Sequence, residues 1–282
     1  MNKKIIFMDI DGTLCTPNGE VPATAQKAIR IARKNGHQIY LCTGRSKPEI
    51  VDDIISIGFD GVIGAGGGYI EIGGKVVHYQ TMAKDSVLEI IDYFDKNKIG
   101  YYIESNEGLF GSDNCIEAIR TRVTEGYPIN SEAYVNADAE FNWFYELIDK
   151  YKTQKIDYSK VNKISFISNQ DHPFVQIDSR FKNKFEIYRT TVRQFGSESG
   201  EIALKDVNKL TAIEFVLQYL DVDKTNTMAY GDGNNDIKMF EAVAYGVAME
   251  NASEELKEVS KEITSKAEED GVFKSFTLNG LI

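Results

Sequence analysis

The chain is poor in cysteine, in surplus positive charge and in long apolar runs, and each shortage closes a class of function. Its three cysteines, Cys15, Cys42 and Cys115, stand at unrelated spacings with no CxxC pair. Neither a disulfide framework nor a zinc site is indicated, and reduced thiols are expected. A formal net charge of −11 argues against a sequence-independent surface for nucleic-acid phosphates or anionic lipid, which needs clustered Lys and Arg. No stretch approaches membrane-spanning length, and the four apolar residues before Asp9 fall far short of a signal-peptide core. A soluble, cytoplasmic protein with neither nucleic acid nor membrane as partner is expected.

Nucleotide and calcium loops are missing as well. There is no GxxxxGK[ST], and "GAGGGY" at 64–69 has Tyr69 where a dinucleotide fingerprint needs its third small residue. "DGNNDI" opens like a calcium loop at Asp232, but Ile237 takes the glycine position and Val243 that of the bidentate glutamate.

What is present is an alternation of short apolar runs and amphipathic stretches. The run Ile5-Ile6-Phe7-Met8 reads as a strand buried on both faces. A helix through Ala25, Ala28, Ile29 and Ala32 follows, ending at Gly36, then a strand at 38–44 and a helix within 46–58. That order implies right-handed parallel crossovers. "YIEIGGKVVHY" reads as a hairpin around Gly73-Gly74, and from about Met82 a mixed helix and strand region begins. The βα alternation returns with a helix at 207–220, a strand at "NTMAYGDG", a helix at "NDIKMFEAV", a strand at "AYGVAM" and a charged helix from 253. The expected fold is α/β: a Rossmann-like parallel-sheet core in two parts, 1–82 and 202–282, interrupted by an α+β domain at 83–201.

Three of these strands end in polar, turn-rich signatures: Asp9-Ile10-Asp11-Gly12-Thr13, Thr43-Gly44-Arg45 and Gly231-Asp232-Gly233-Asn234-Asn235-Asp236. Open parallel sheets bind ligands beyond the carboxyl ends of their strands. Asp9, Asp11 and Asp232 converging there would repel one another unless a cation neutralised them, and an oxygen-only donor set favours Mg²⁺ over zinc.

The order and spacing of these signatures resemble the haloacid dehalogenase (HAD) superfamily, and within it the Cof-type (class IIB) phosphatases with a large cap between the second and third motifs. The resemblance implies that Asp9 is the nucleophile and Asp11 the general acid/base. It implies phosphate contacts from Thr43, Gly44, Lys209 and Asn235, with Lys205 the reserve for the motif lysine. Mg²⁺ would be held by Asp9, Asp232 and the backbone carbonyl of Asp11, with Asp236 supporting from behind. An aspartate at position 11 sorts the chain toward phosphoryl transfer rather than dehalogenation. The implied activity is Mg²⁺-dependent hydrolysis of a small phosphorylated metabolite through an aspartyl-phosphate. A phosphotransferase or mutase would use the same residues, and a phosphometabolite-binding regulatory protein would also place an acid cluster and a lysine on a parallel sheet. Two departures from the family pattern are Gly66-Gly67, where Asn-Gly is usual, and Glu250 in "AMENA".

Overall fold

A computed structural model describes residues 3–169 and 171–282. Proximity along the backbone divides the chain into two compact units. The first comprises residues up to Arg45, Ile50–Tyr79 and Asp206–Ile282; the second comprises Ser46–Glu49 and Gln80–Lys205.

The strands in chain order are β1 (Ile5–Met8), β2 (Gln38–Cys42), β3 (Gly61–Gly64), β4 (Tyr69–Ile72) and β5 (Lys75–Tyr79) in the first unit. The second unit holds β6 (Gly100–Ser105), β7 (Gly108–Gly111), β8 (Val161–Ile167), β9 (Phe185–Arg189) and β10 (Gly200–Leu204). The first unit then resumes with β11 (Thr227–Gly231), β12 (Tyr245–Met249) and β13 (Glu262–Thr264).

In the first unit the sheet order is β13-β12-β11-β1-β2-β3-β4-β5. Pairing is parallel from β13 to β3, and β4 and β5 add an antiparallel hairpin at the edge. The Gly73-Gly74 turn of that hairpin has positive φ at both residues, as a two-residue loop matched to strand twist requires. The continuous apolar run in β1 is explained by period-two alternation between two covered faces. Ile6 and Met8 pack with Ala25, Ala28 and Ile29 of helix Ala23–Lys34 and Phe276 of helix Gly271–Leu278. Ile5 and Phe7 pack on the other face with Ile213 and Val216 of helix Lys209–Leu220 and Met239 of helix Ile237–Ala242. Burying each of the isoleucine, valine, methionine and phenylalanine side chains among these contributes on the order of 1.5–3 kcal/mol.

The second unit is a five-stranded sheet, β7-β6-β8-β10-β9, antiparallel throughout. Ile103, Ile164, Phe166 and Ile202 line one face under helices Lys84–Lys96 and Phe174–Phe181. The alternate residues on β6, β8 and β10 put Glu104, Lys163, Ser165 and Glu201 on the opposite face. There the Lys163 ammonium lies 2.9 Å from Glu201 and 3.3 Å from Glu104, and the Ser165 hydroxyl donates to Glu104 at 2.6 Å.

Several elements differ from the sequence expectation. The helix expected within 46–58 is two short pieces, Lys47–Glu49 and Asp52–Ile55, because the Glu49 carboxylate folds back on the Ser46 amide at 2.8 Å and Val51 is extended. The charged helix expected from 253 spans only Glu254–Val259; the chain then forms edge strand β13 and a further helix at Gly271–Leu278. Within the region expected only as mixed helix and strand lie strands β7 and β10 and the helix Asn142–Tyr151 that carries Trp143. All three cysteines are buried and unpaired, and no described helix is long and apolar enough to cross a membrane.

Burial alone would lower the Lys163 pKa, but Glu104 and Glu201 outweigh it and hold the ammonium charged. Lys163→Met leaves Glu104 buried without its counter-charge. A loss of about 3–5 kcal/mol of unfolding free energy is expected by chemical denaturation. A loss under about 1 kcal/mol would mean that Glu104, which burial already pushes up to about 8, takes a proton or is met by water once Lys163 is gone.

Candidate active site

Strand order brings the polar signatures together. β1 lies between β11 and β2, with Met8 opposite Tyr230 on one side and Leu41 on the other. Asp9 leaves the end of β1 still bonded to β11, its amide donating to the Tyr230 carbonyl at 3.0 Å. Thr43 leaves the end of β2, and Asp232 follows directly on β11. This is the point where strand order reverses direction, the usual crevice of an open α/β sheet.

Lys209 is the first residue of its helix, capped by Asn208, whose side chain accepts from the amides of Leu210 and Thr211. A cation in a first turn opposes the helix dipole. Here it is 3% exposed and lies 2.6 Å from both Asp9 and Asp236. Burial would lower its pKa, but Asp236 and Asp9 together raise it above the usual lysine value. Lys205, the reserve candidate, is exposed in the second unit. Gly67 helps to place that helix. Its φ is +117°, and a Cβ there would press on the Asn208 backbone at 2.7 Å, whereas a Cβ at Gly66, the position that departs from the usual Asn, would meet nothing within 4 Å.

Asp236 commits both oxygens to the protein: Oδ1 to Lys209, and Oδ2 to the amides of Asp232 and Gly233, each at 3.0 Å. It therefore shapes the turn that carries Asp232. The Asp232 carboxylate accepts from the Thr13 hydroxyl at 3.1 Å and the Asn251 amide at 3.2 Å, and Asn251 also donates to the Gly12 carbonyl at 3.0 Å.

Oxygens of Asp9, Asp232 and Asp236 lie within 4.8 Å of one another. This trio differs from the expected one in a single member. The Asp11 side chain lies instead against Arg45, whose Nε and Nη2 donate to its two oxygens at 2.9 and 2.6 Å. Only the backbone carbonyl of Asp11 remains as the metal contact the resemblance implied. Burial pushes Asp9 well above the usual carboxylate range, with Lys209 opposing, and burial and Asp236 push Asp232 up to about 6. Two carboxylates so raised, in an all-oxygen set with one lysine, fit a hard divalent cation.

The remaining residues are placed as follows. Thr43 is buried and its hydroxyl oxygen accepts from the Arg45 amide at 3.1 Å; Gly44 follows it in the turn. Asn235 is exposed on the short helical turn Asn234–Asp236. Sequence reasoning passed over Arg45 and Asn251. Both stood inside quoted motifs, "TGR" and "AMENA", but their partners are 34 and 239 residues away in sequence and carry no local signal.

A family model described as haloacid dehalogenase-like hydrolase matches residues 6–276. The phosphatase YwpJ of Bacillus subtilis is 24% identical over 95% of this chain and 97% of its own length. A 5-amino-6-(5-phospho-D-ribitylamino)uracil phosphatase of the same organism, YwtE, is 24% identical over 95% of each chain. Among solved structures, a subclass IIB sugar phosphatase of the HAD superfamily aligns with a TM-score of 0.71 at 20% identity, over 99% of this chain and all of that one, a likeness of fold.

Gly12 has φ +75°, and a Cβ there would overlap the Asp232 carboxylate; Gly19 has φ +81° with open space around it. Ala at position 19 is expected to cost about 1 kcal/mol for backbone strain alone. Gly12→Ala is expected to cost about 2–3 kcal/mol, the excess coming from displacement of Asp232. Equal losses for the two variants in denaturant titrations would show that the turn yields without moving Asp232.

Proposed function

We propose that this chain, which belongs to the haloacid dehalogenase-like hydrolase family and is a phosphatase, is a Cof-type enzyme that hydrolyses small phosphomonoesters with Mg²⁺ through an aspartyl-phosphate on Asp9. The observation that carries this reading is the buried Asp9 carboxylate at the end of β1, held by Lys209 beside the turn of Thr43. A carboxylate fixed in that way attacks without first losing side-chain freedom.

In the proposed reaction Asp9 attacks phosphorus in line, forming the acyl phosphate as the ester oxygen leaves. Asp11 gives that oxygen its proton, then takes one from a water molecule that attacks the same phosphorus, releasing phosphate and restoring Asp9. The Thr43 hydroxyl oxygen already accepts from Arg45, so its own proton is left to donate to a phosphoryl oxygen. The Gly44 amide and Lys209 supply further donors, and Asn235 a supporting one. Asp9, Asp232 and the carbonyl of Asp11 would hold Mg²⁺, which when bound offsets the charge between an anionic nucleophile and an anionic phosphate. Asp236 keeps Asp232 and Lys209 in place.

The substrates in view are sugar phosphates, nucleotides and cofactor phosphates. Selection among them is assigned to the inserted residues 83–201, acting as a cap domain. The phosphoribityl substrate named for the Bacillus subtilis relative belongs to the same class of small phosphomonoesters.

Phosphate release from a panel of such compounds tests the reading. Turnover is expected with Mg²⁺ and not after chelation, and Asp9→Asn is expected to lower it by at least about 10³-fold while the far-ultraviolet circular dichroism is unchanged. Full activity in a folded Asp9→Asn variant would remove Asp9 as nucleophile. Full activity after thorough chelation would remove the metal. Phosphate appearing on an added sugar alcohol rather than in solution would make the enzyme a transferase.

A further inference from the structure

The proposed chemistry leaves one charged group beside the site without a task. Arg45 follows Thr43 and Gly44, and its guanidinium holds both oxygens of Asp11, Nε to Oδ2 at 2.9 Å and Nη2 to Oδ1 at 2.6 Å. The two partners are unequal: the Arg45 side chain is 17% exposed and that of Asp11 is 62% exposed. An exposed aspartate on a loop samples its rotamers freely, whereas a planar fork meeting a carboxylate along both arms fixes distance and orientation together. Such a pair near the surface adds little to stability, so its effect lies in geometry.

The anchor of this fork is itself fixed. The Arg45 amide donates to the Thr43 hydroxyl oxygen at 3.1 Å, its carbonyl accepts from Ala65 at 2.8 Å, and the Thr43 carbonyl accepts from Gly66 at 3.0 Å. The turn of β2 is thus tied to the turn of β3, and Arg45 extends that frame to the loop after β1. The fork occupies one lone pair of each Asp11 oxygen. A carboxylate has about four such sites, so proton exchange with a leaving oxygen stays open.

We propose that Arg45 is a positioning residue that sets the Asp11 carboxylate at a defined distance from the Thr43-Gly44 turn, so that one frame places both the phosphoryl group and the proton delivered to its leaving oxygen. This inference rests on the reading of Asp11 as general acid. Its alternative is an Arg45 that grips the substrate phosphate itself, as arginine does at many phosphate sites.

Leaving-group dependence separates the two. kcat/KM covers the steps through departure of the alcohol, and an alkoxide needs a proton there while p-nitrophenolate does not. For the Mg²⁺-loaded full chain, Arg45→Ala is expected to lower kcat/KM for a sugar phosphate by about 10–100-fold and for p-nitrophenyl phosphate by less than about threefold. Arg45→Lys, which restores the charge but not the fork, is expected to recover only part of the loss. Equal losses on both substrates would overturn the inference in favour of direct phosphate binding, and complete rescue by lysine would overturn the role of the fork. Asp11→Asn measured in parallel distinguishes the levels of failure. Unequal losses there with equal losses in Arg45→Ala remove Arg45 alone; equal losses in both remove the general-acid reading and this inference with it.

Discussion

The site is organised by one buried ammonium. Lys209 lies 2.6 Å from both Asp9 and Asp236, and all three side chains are almost wholly removed from solvent. Burying one charge without partners is prohibitive, and burying three is tolerable only when their geometry satisfies them together. The requirement propagates outward. Asp236 has one oxygen on Lys209 and so offers only the other to the amides of Asp232 and Gly233, which sets the turn after β11. Lys209 must start its helix at one point, so Asn208 caps it and Gly67 allows the close approach of that cap. The residual negative charge, two carboxylates against one lysine before Asp232 is added, is what makes the cluster a place for a cation rather than a settled ion pair.

The backbone makes the same arrangement available without any side chain. Parallel strands β11, β1 and β2 end together, so residues from the beginning, the early part and the last quarter of the chain meet within one crevice. The strands supply rigidity because both sheet faces are packed, and the loops beyond them supply chemistry because they are free of the ladder. Asn251 shows how far this goes, joining the Gly12 carbonyl to the Asp232 carboxylate across 239 residues. Arg45 does the same between the loops that follow β1 and β2.

The buried polar row of the second unit follows a similar rule in an antiparallel setting. Glu104, Lys163 and Glu201 come from three neighbouring strands, and the pleat alone places them on one face. Such a row costs desolvation, and what it contributes is a sheet face that admits one register, because a slip by one residue would turn these charges into the apolar face.

Periodicity made much of this legible from the sequence. The βα alternation, the hairpin at Gly73-Gly74 and the three polar strand ends were all readable because they depend on residues within a few positions of one another. The same holds for Asp9 and Asp232 as chemical candidates, which stand at strand ends marked by local turn signals, whereas Lys209 is named by the family resemblance. Three things depended on tertiary structure. The helix expected after 46 is broken into two short pieces by a folded-back glutamate, and the one expected from 253 is present but ends at Val259, before an edge strand. Asp236 stands in the carboxylate trio where Asp11 was expected, and the Asp11 side chain is paired with Arg45 instead. And the burial of Lys209 between Asp9 and Asp236, which sets it apart from exposed Lys205, is visible only in the folded chain. The physical reason is the same in each case: propensity and spacing act over one or two turns of chain, whereas charge pairing and burial are settled by whichever residue the folded backbone brings near.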